Sequence, residues 1–292
     1  MDPAETERLK QRTLIALFSD DQLVHRLVLK GGNALSLAYG LMSRASFDLD
    51  FSMEGQFDSA ELPAIRGRIE TRLIQAFAPI GYAVFDVRLE QKPENITPDL
   101  EVFWGGYNLE FRLVRRERYD ELHGDLTAIR REALKPRPRG KARFEVDISR
   151  HEYCEGKQPV EIDFFTVFVY TPLMVVCEKI RAICQQMPRY AATVKKHQAP
   201  RARDFFDIHQ TVQQFRIDIL NDESVELLKK MFQAKRVPAA LLASVRETRE
   251  FHRQDWDAVR DTVDPGIKLR EFDYYFAFVA GLCDELAIIV SD

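Results

Sequence analysis

Leu29-Lys30-Gly31-Gly32-Asn33, followed by Arg44-Ala45-Ser46-Phe47-Asp48-Leu49-Asp50-Phe51, decides how this chain is read. A double glycine where a helix begins lets the backbone approach phosphate groups that a Cβ would push away. Downstream, Asp48 and Asp50 stand at i and i+2, a spacing that on a strand points both carboxylates to one face. Held that close they repel each other unless a cation lies between them. Phosphates at one end and a divalent-cation cradle at the other describe a site for nucleotide transfer.

Such a cradle needs two or three carboxylates, and a third must come from a neighbouring strand on the same sheet face. Phe144-Glu145-Val146-Asp147-Ile148 alternates, with Phe144, Val146 and Ile148 on the opposite face from Asp147. Asp147 is therefore the expected third ligand beside Asp48 and Asp50, with Glu145 as fallback and Asp163 after it. The cation expected there is Mg²⁺, with a nucleoside triphosphate as substrate.

The rest of the chain is read around that pair. Residues 3–18 form a first helix with Leu9, Leu14, Ile15, Leu17 and Phe18 on its apolar side, and Asn33–Leu41 forms a short one. Asp48–Ser52 alternates as a strand, and Ser59–Ala78 is a longer helix stopped by Pro79-Ile80-Gly81. Strands follow at 82–89, 107–115 and 143–149, and another begins at Val160. Pro136, Pro138 and Gly140 exclude continuous regular structure over 129–143. After Pro172 the pattern turns helical, over 173–186, 203–215, 224–232, 239–251 and 272–290, with 188–200 expected as a loop. The fold class is α/β (α+β): a mixed-sheet domain over residues 1–170, followed by an all-helical domain over 171–292.

Composition narrows the class. The chain has 292 residues, of which 46% are hydrophobic and 30% charged, ordinary for a globular protein. No apolar run approaches the roughly 18–20 residues that span a membrane, and the acidic N-terminus does not read as a signal peptide. A cytoplasmic location and no membrane partner are expected. Cys154, Cys177, Cys184 and Cys283 match no zinc spacing, and the six histidines are scattered. The net charge of −4 hides an asymmetry: Arg112–Arg203 carries 20 Lys/Arg against 12 Asp/Glu. A basic middle in an acidic protein points to a local anionic partner.

The segment from Lys30 to Phe51 resembles the first motif of the nucleotidyltransferase superfamily that includes DNA polymerase beta, in the form found in AbiEii/AbiGii-type toxins. The pattern there reads roughly K-G-G-[ST]-x-L, then R-x-S-x-D-[IL]-D-[FL]. Many superfamily members carry Gly-Ser, whose hydroxyl touches a phosphate. Here Gly32 stands in place of that serine and Asn33 follows, leaving the grip to backbone amides with the Asn33 amide. The resemblance resumes at Glu178-Lys179-Ile180-Arg181-Ala182 and at Arg203-Asp204-Phe205-Phe206-Asp207-Ile208. The matched segments cover about a fifth of the chain and fall in the expected order.

The resemblance implies a nucleotidyltransferase-like domain and a metal-dependent transferase that is the toxin of a bacterial toxin–antitoxin or phage-defence system. Its implied catalytic set is Asp48, Asp50, Lys179 and Asp204, with Gly31, Gly32, Asn33, Arg44, Ser46, Lys179 and Asp207 holding the nucleotide. Lys179 would reach the triphosphate as a point charge. For Asp204 three readings stay open: N-cap, partner of Lys179, or acceptor of the attacking hydroxyl's proton. Asp207 would pair with Arg203 or an ion. Implied partners are an RNA acceptor, such as the 3′ end of tRNA, and a cognate antitoxin protein.

Two basic stretches, 129–143 with seven Lys/Arg and 188–203 with five, are candidate RNA contacts, since each phosphate contact adds a salt-sensitive increment. Two other readings remain: nucleotidylylation of a protein or small-molecule hydroxyl, and a non-catalytic module that binds a nucleotide or an antitoxin.

Overall fold

The computed structural model describes residues 3–41, 49–136, 140–194 and 197–290. Thirteen α-helices and seven strands are assigned among them. In chain order they run α1 (Pro3–Phe18), β1 (Val28–Lys30), α2 (Gly31–Tyr39), β2 (Leu49–Ser52), α3 (Leu62–Phe77), β3 (Tyr82–Lys92), α4 (Pro98–Glu101), β4 (Gly106–Arg115), α5 (Arg116–Glu121), α6 (Leu126–Glu132), β5 (Phe144–Ser149), β6 (Gln158–Ile162) and β7 (Phe165–Val169). The helical remainder is α7 (Pro172–Cys184), α8 (Pro188–Val194), α9 (Ala202–Phe215), α10 (Asp222–Ala234), α11 (Arg249–Arg253), α12 (Trp256–Arg260) and α13 (Phe272–Ile289). The expected α/β class, a mixed sheet followed by helices, is the fold observed.

The sheet order is β3-β4-β5-β2-β1-β7-β6. β2 runs parallel to β5 and β1 parallel to β7, while the other pairs are antiparallel. One face is covered by α1 and α3. Helix α3 presents Ile65, Ile69, Leu73 and Phe77, an i, i+4 stripe, to the buried Leu49, Phe51, Leu109, Phe111, Val146 and Ile148 of the sheet. Fully burying each such side chain is worth about 1.5–3 kcal/mol, so this face fixes which way every strand residue points. The opposite face therefore carries the alternate residues. Pairing places Lys30 beside Asp50, Asp50 beside Asp147, and Asp147 beside Asn108 in one row across four strands.

Helices α7, α9, α10 and α13 form the second core around Cys177, Ile180, Phe205, Phe206, Leu228 and Tyr275. That core also takes in Val28, Leu35 and Tyr170 from the sheet unit, so helices and sheet are packed together. All four cysteines are buried free thiols. No helix among the described residues is long and apolar enough to cross a membrane.

Several expectations need correcting. The strand expected from Val160 is a hairpin, β6 and β7, turning at Asp163 (φ 48°) and Phe164 (φ 67°) with Ile162 opposite Phe165. Two residues with positive φ match the twist of a tight hairpin, but a bulky Phe in that region carries no sequence signal for it. The segment 188–200, expected as a loop, contains α8. Tyr190, Ala191 and Val194 lie on one side of its turns and are buried. Residues 239–251 are a 3₁₀ stretch (Ala239–Thr248) followed by α11 rather than one α-helix.

Candidate active site

A cleft of about 1080 Å³ opens between the exposed sheet face and the helices. Gly31 and Gly32 at the start of α2, Asp50, Asp147, Lys179, Asp204 and Lys235 are among its lining residues. Lys30 is the N-cap of α2 and offers no side-chain cap to the first amides of the helix. Those amides and the helix dipole favour an anion in front of the glycine pair. Gly31 has φ 69°, a conformation L side chains rarely adopt, and an added Cβ would lie 3.6 Å from Asp50 Oδ2. The Asp50 carboxylate thus stands directly beside the glycine turn.

Asp147, chosen from alternation, is the cross-strand neighbour of Asp50. Same-face neighbours on paired strands hold their Cβ atoms about 4.5–5.5 Å apart. Two hard oxygen donors at that separation fit a divalent cation such as Mg²⁺. Lys92 Nζ, 2.6 Å from Asp147 Oδ1, is the cation against this carboxylate in the structure. Among the described residues no three His, Cys, Asp or Glu side chains gather as a metal cluster. Asp48, the first carboxylate of the motif, lies outside the described residues, as do Arg44 and Ser46. The two fallbacks are elsewhere. Glu145 faces Arg143 at 2.6 Å and does not line the cleft, and Asp163 sits on the β6–β7 turn at the far edge of the sheet, near Arg12.

The opposite wall brings Lys179, Asp204 and Asp207 together. Lys179 Nζ lies 2.8 Å from Asp204 Oδ1 and 2.8 Å from Asp207 Oδ2, and all three residues are buried. Arg201 closes on the other Asp204 oxygen. Burial opposes the Asp204 charge, but Arg201 and Lys179 beside it hold the carboxyl well below the usual carboxylate range. Of the three readings of Asp204, partner of Lys179 is the one observed. It is not an N-cap, because Arg201 occupies that position in α9. Asp207 pairs with Lys179 rather than with Arg203, whose nearest acid is Asp255 at 3.9 Å.

Asn33 is placed apart from the other described residues expected to hold the nucleotide. It is 1% exposed, accepts a hydrogen bond from Lys10 Nζ on α1 at 3.1 Å, and does not line the cleft. One helical step past Gly32 its side chain faces α1.

The sequence reading missed the floor of the cleft. Glu152, in the turn after β5, is ringed by Arg181 Nη2 at 3.0 Å, Lys235 Nζ at 3.5 Å and Lys30 Nζ at 3.6 Å. Glu178 Oε1 lies 3.5 Å from Arg181 Nη2 and 3.8 Å from Lys30 Nζ. Burial works against Glu152, yet Arg181, Lys235 and Lys30 pull its carboxyl down to about 2. Lys235 responds oppositely: burial, with Arg181 and Lys30 adding to it against Glu152, lowers its ammonium to about 8. The i, i+3 pair Glu178/Arg181 was visible in sequence; Glu152 and Lys235 carry no local signal.

The profile of the AbiEii toxin family, nucleotidyltransferases of type IV toxin–antitoxin systems, matches residues 12–278. The chain belongs to this family. Nucleotidyl transfer, and the toxin role in a toxin–antitoxin pair, are what membership carries. No curated protein matches the chain at a significant level. Among solved structures, JHP933 from Helicobacter pylori is 16% identical, with 99% of this chain and 93% of that one covered and a TM-score of 0.48. MenT4, a nucleotidyltransferase toxin from Mycobacterium tuberculosis H37Rv, is 15% identical, with 96% and 82% covered and a TM-score of 0.46.

Proposed function

We propose that this AbiEii-family chain transfers a nucleotide from a nucleoside triphosphate to an RNA hydroxyl, such as the 3′ end of tRNA, in a metal-dependent reaction. The observation that carries the reading is the register of Asp50 and Asp147 beside the uncapped glycine turn, inside one cleft with Lys179. Gly31 and Gly32 hold phosphate oxygens through backbone amides. Asp50 and Asp147, with Asp48, would hold Mg²⁺, which when bound would offset charge on the reacting phosphate. Lys92, which balances Asp147 in the structure, would yield that carboxylate to a bound ion. Lys179, fixed between Asp204 and Asp207, is positioned before substrate binds. Asp204, with its depressed carboxyl, is a poor base and serves to position Lys179 and Arg201.

In this reaction the acceptor hydroxyl oxygen forms a bond to the α-phosphorus. The bond to the bridging oxygen breaks, pyrophosphate leaves with the electron pair, and the hydroxyl proton passes to solvent. Division of labour follows the proposed units: 1–170 brings the glycine turn and the metal carboxylates, and 171–292 brings the cationic side chains of the other wall. A cytoplasmic location and a cognate antitoxin that restrains the activity complete the reading.

The test is incubation with each labelled nucleoside triphosphate, Mg²⁺ and total RNA, followed by separation of RNA, protein and small molecules. Label in RNA, lost in Asp50→Asn while the melting temperature holds, supports the reading. Label in protein or a small molecule moves the acceptor to the alternative class. No label and no pyrophosphate with any acceptor leaves a binding module and overturns transfer.

A further inference from the structure

The walls of the cleft differ in charge balance. Among the described residues, Lys179 and Arg201 face Asp204 and Asp207, two cations against two carboxylates. Lys30, Arg181 and Lys235 converge on Glu152 and Glu178, with Asp50, a proposed metal ligand, also beside Lys30, and Arg181 and Lys235 are 2% and 3% exposed. Buried charge left without a counter-charge costs several kcal/mol, so once Asp50 is given to a metal an arrangement of this kind persists where something negative joins it. A second observation agrees. Arg181 lines the cleft, yet among the described residues its Nε and Nη1 have no hydrogen-bond partner, although a guanidinium offers five donors. Its Nη2 lies 3.0 Å from Glu152 Oε2 and 3.5 Å from Glu178 Oε1 as an ion-pair contact.

Position and shape add to this. Lys30 immediately precedes Gly31, and its ammonium donates to Ser149 Oγ at 3.1 Å on β5, two residues past Asp147. The floor therefore begins beside the glycine turn and the carboxylate pair and runs beneath α7. Arginine forks match the tetrahedral oxygens of phosphate, and Lys235, anchored on the Arg150 carbonyl, faces the same carboxylate.

We propose that the floor formed by Arg181 and Lys235, backed by Lys30 and oriented by Glu152, is the seat for the terminal phosphates of the nucleoside triphosphate and for the pyrophosphate that leaves. This rests on the transfer reaction of the preceding subsection and moves the main phosphate-neutralising role away from Lys179. Glu152 is a positioning residue: it holds three cations that would otherwise repel one another.

Calorimetric titration of the full chain with inorganic pyrophosphate, in buffer free of divalent metal, tests it. The wild type is expected to bind, with Lys235→Met and Arg181→Gln each weakening binding about tenfold or more, the loss of one charge-assisted contact. Lys235→Arg restores binding. Should Arg181→Gln fail to fold, the Lys235 pair decides. A folded Lys235→Met that binds pyrophosphate like the wild type overturns the proposal, as does a wild type that binds none. A parallel titration with a short single-stranded RNA separates sources: if Lys235→Met loses RNA and keeps pyrophosphate, the seat belongs to the acceptor backbone and the proposal fails. Labelled transfer by the wild type is scored separately. Transfer without pyrophosphate binding at the floor sinks only this inference, and pyrophosphate binding without transfer sinks only the reaction.

Discussion

The basic stretch from residue 129 to 143 and the floor of the cleft both concentrate arginine and lysine, and they handle the charge in opposite ways. On the stretch, Arg130 forms two hydrogen bonds to Asp86, which a bulge in β3 turns outward, and Arg143 lies between Glu110 and Glu145. Arg130 and Arg143 are partly exposed and paired with acids, while Arg137 and Arg139 of the stretch lie outside the described residues. On the floor, Lys30, Arg181 and Lys235 are buried, share Glu152 and Glu178 and, among the described residues, leave guanidinium donors unused. Counting cations along a sequence rates the stretch higher. Counting acids within reach and burial reverses that order, because a paired surface arginine has little left to give a ligand while a buried guanidinium with unused donors has more.

Three experiments sharpen or break that contrast. Glu152→Gln has the largest expected effect. It leaves three buried cations around a neutral amide, and breaking a buried pair of this kind costs about 3–5 kcal/mol. Urea unfolding of the variant at neutral pH measures it, and a midpoint equal to that of the wild type would show that the floor is not strained by its own charge. The acid limb of stability comes next. Glu152 is held at about 2 in the fold against an ordinary 4.5, so its contribution is complete above 4.5 and is lost as pH falls from 4.5 toward 2. The stability difference between wild type and Glu152→Gln should shrink over that window. The smallest effect is expected on the stretch. Arg130→Ala and Arg131→Ala should leave both RNA labelling and the melting midpoint unchanged; a marked loss of labelling would make the stretch an acceptor contact after all.

Much of the fold was legible because its signals are local. Alternation in 107–115 and 143–149 gave strands, the apolar stripe of α3 gave a helix, and Gly81 gave its stop. The same alternation put Asp147 on the face of Asp50, which the parallel pairing of β2 with β5 bears out. What escaped was set by distant partners. Tyr190 holds α8 against the helical core by donating its hydroxyl hydrogen to the Lys235 carbonyl, and nothing within 188–200 announces that contact. Asn33 is captured by Lys10 of α1, twenty-three residues earlier. Glu152 and Lys235 meet from a turn after β5 and the end of α10, so neither residue has a spacing that predicts the other. The carboxylate pair could be read from one strand and its neighbour, whereas the cationic floor needs four elements in place at once.

The most direct measurement is a double-variant cycle on transfer, with Asp50→Asn, Asp147→Asn and the two combined assayed for nucleotide incorporation at saturating Mg²⁺ and triphosphate. If the two carboxylates act as one unit, each single variant falls by about 100-fold or more, and the double variant falls little further. An Asp147→Asn protein that transfers nucleotide at the wild-type rate would contradict the pairing on which the site is built.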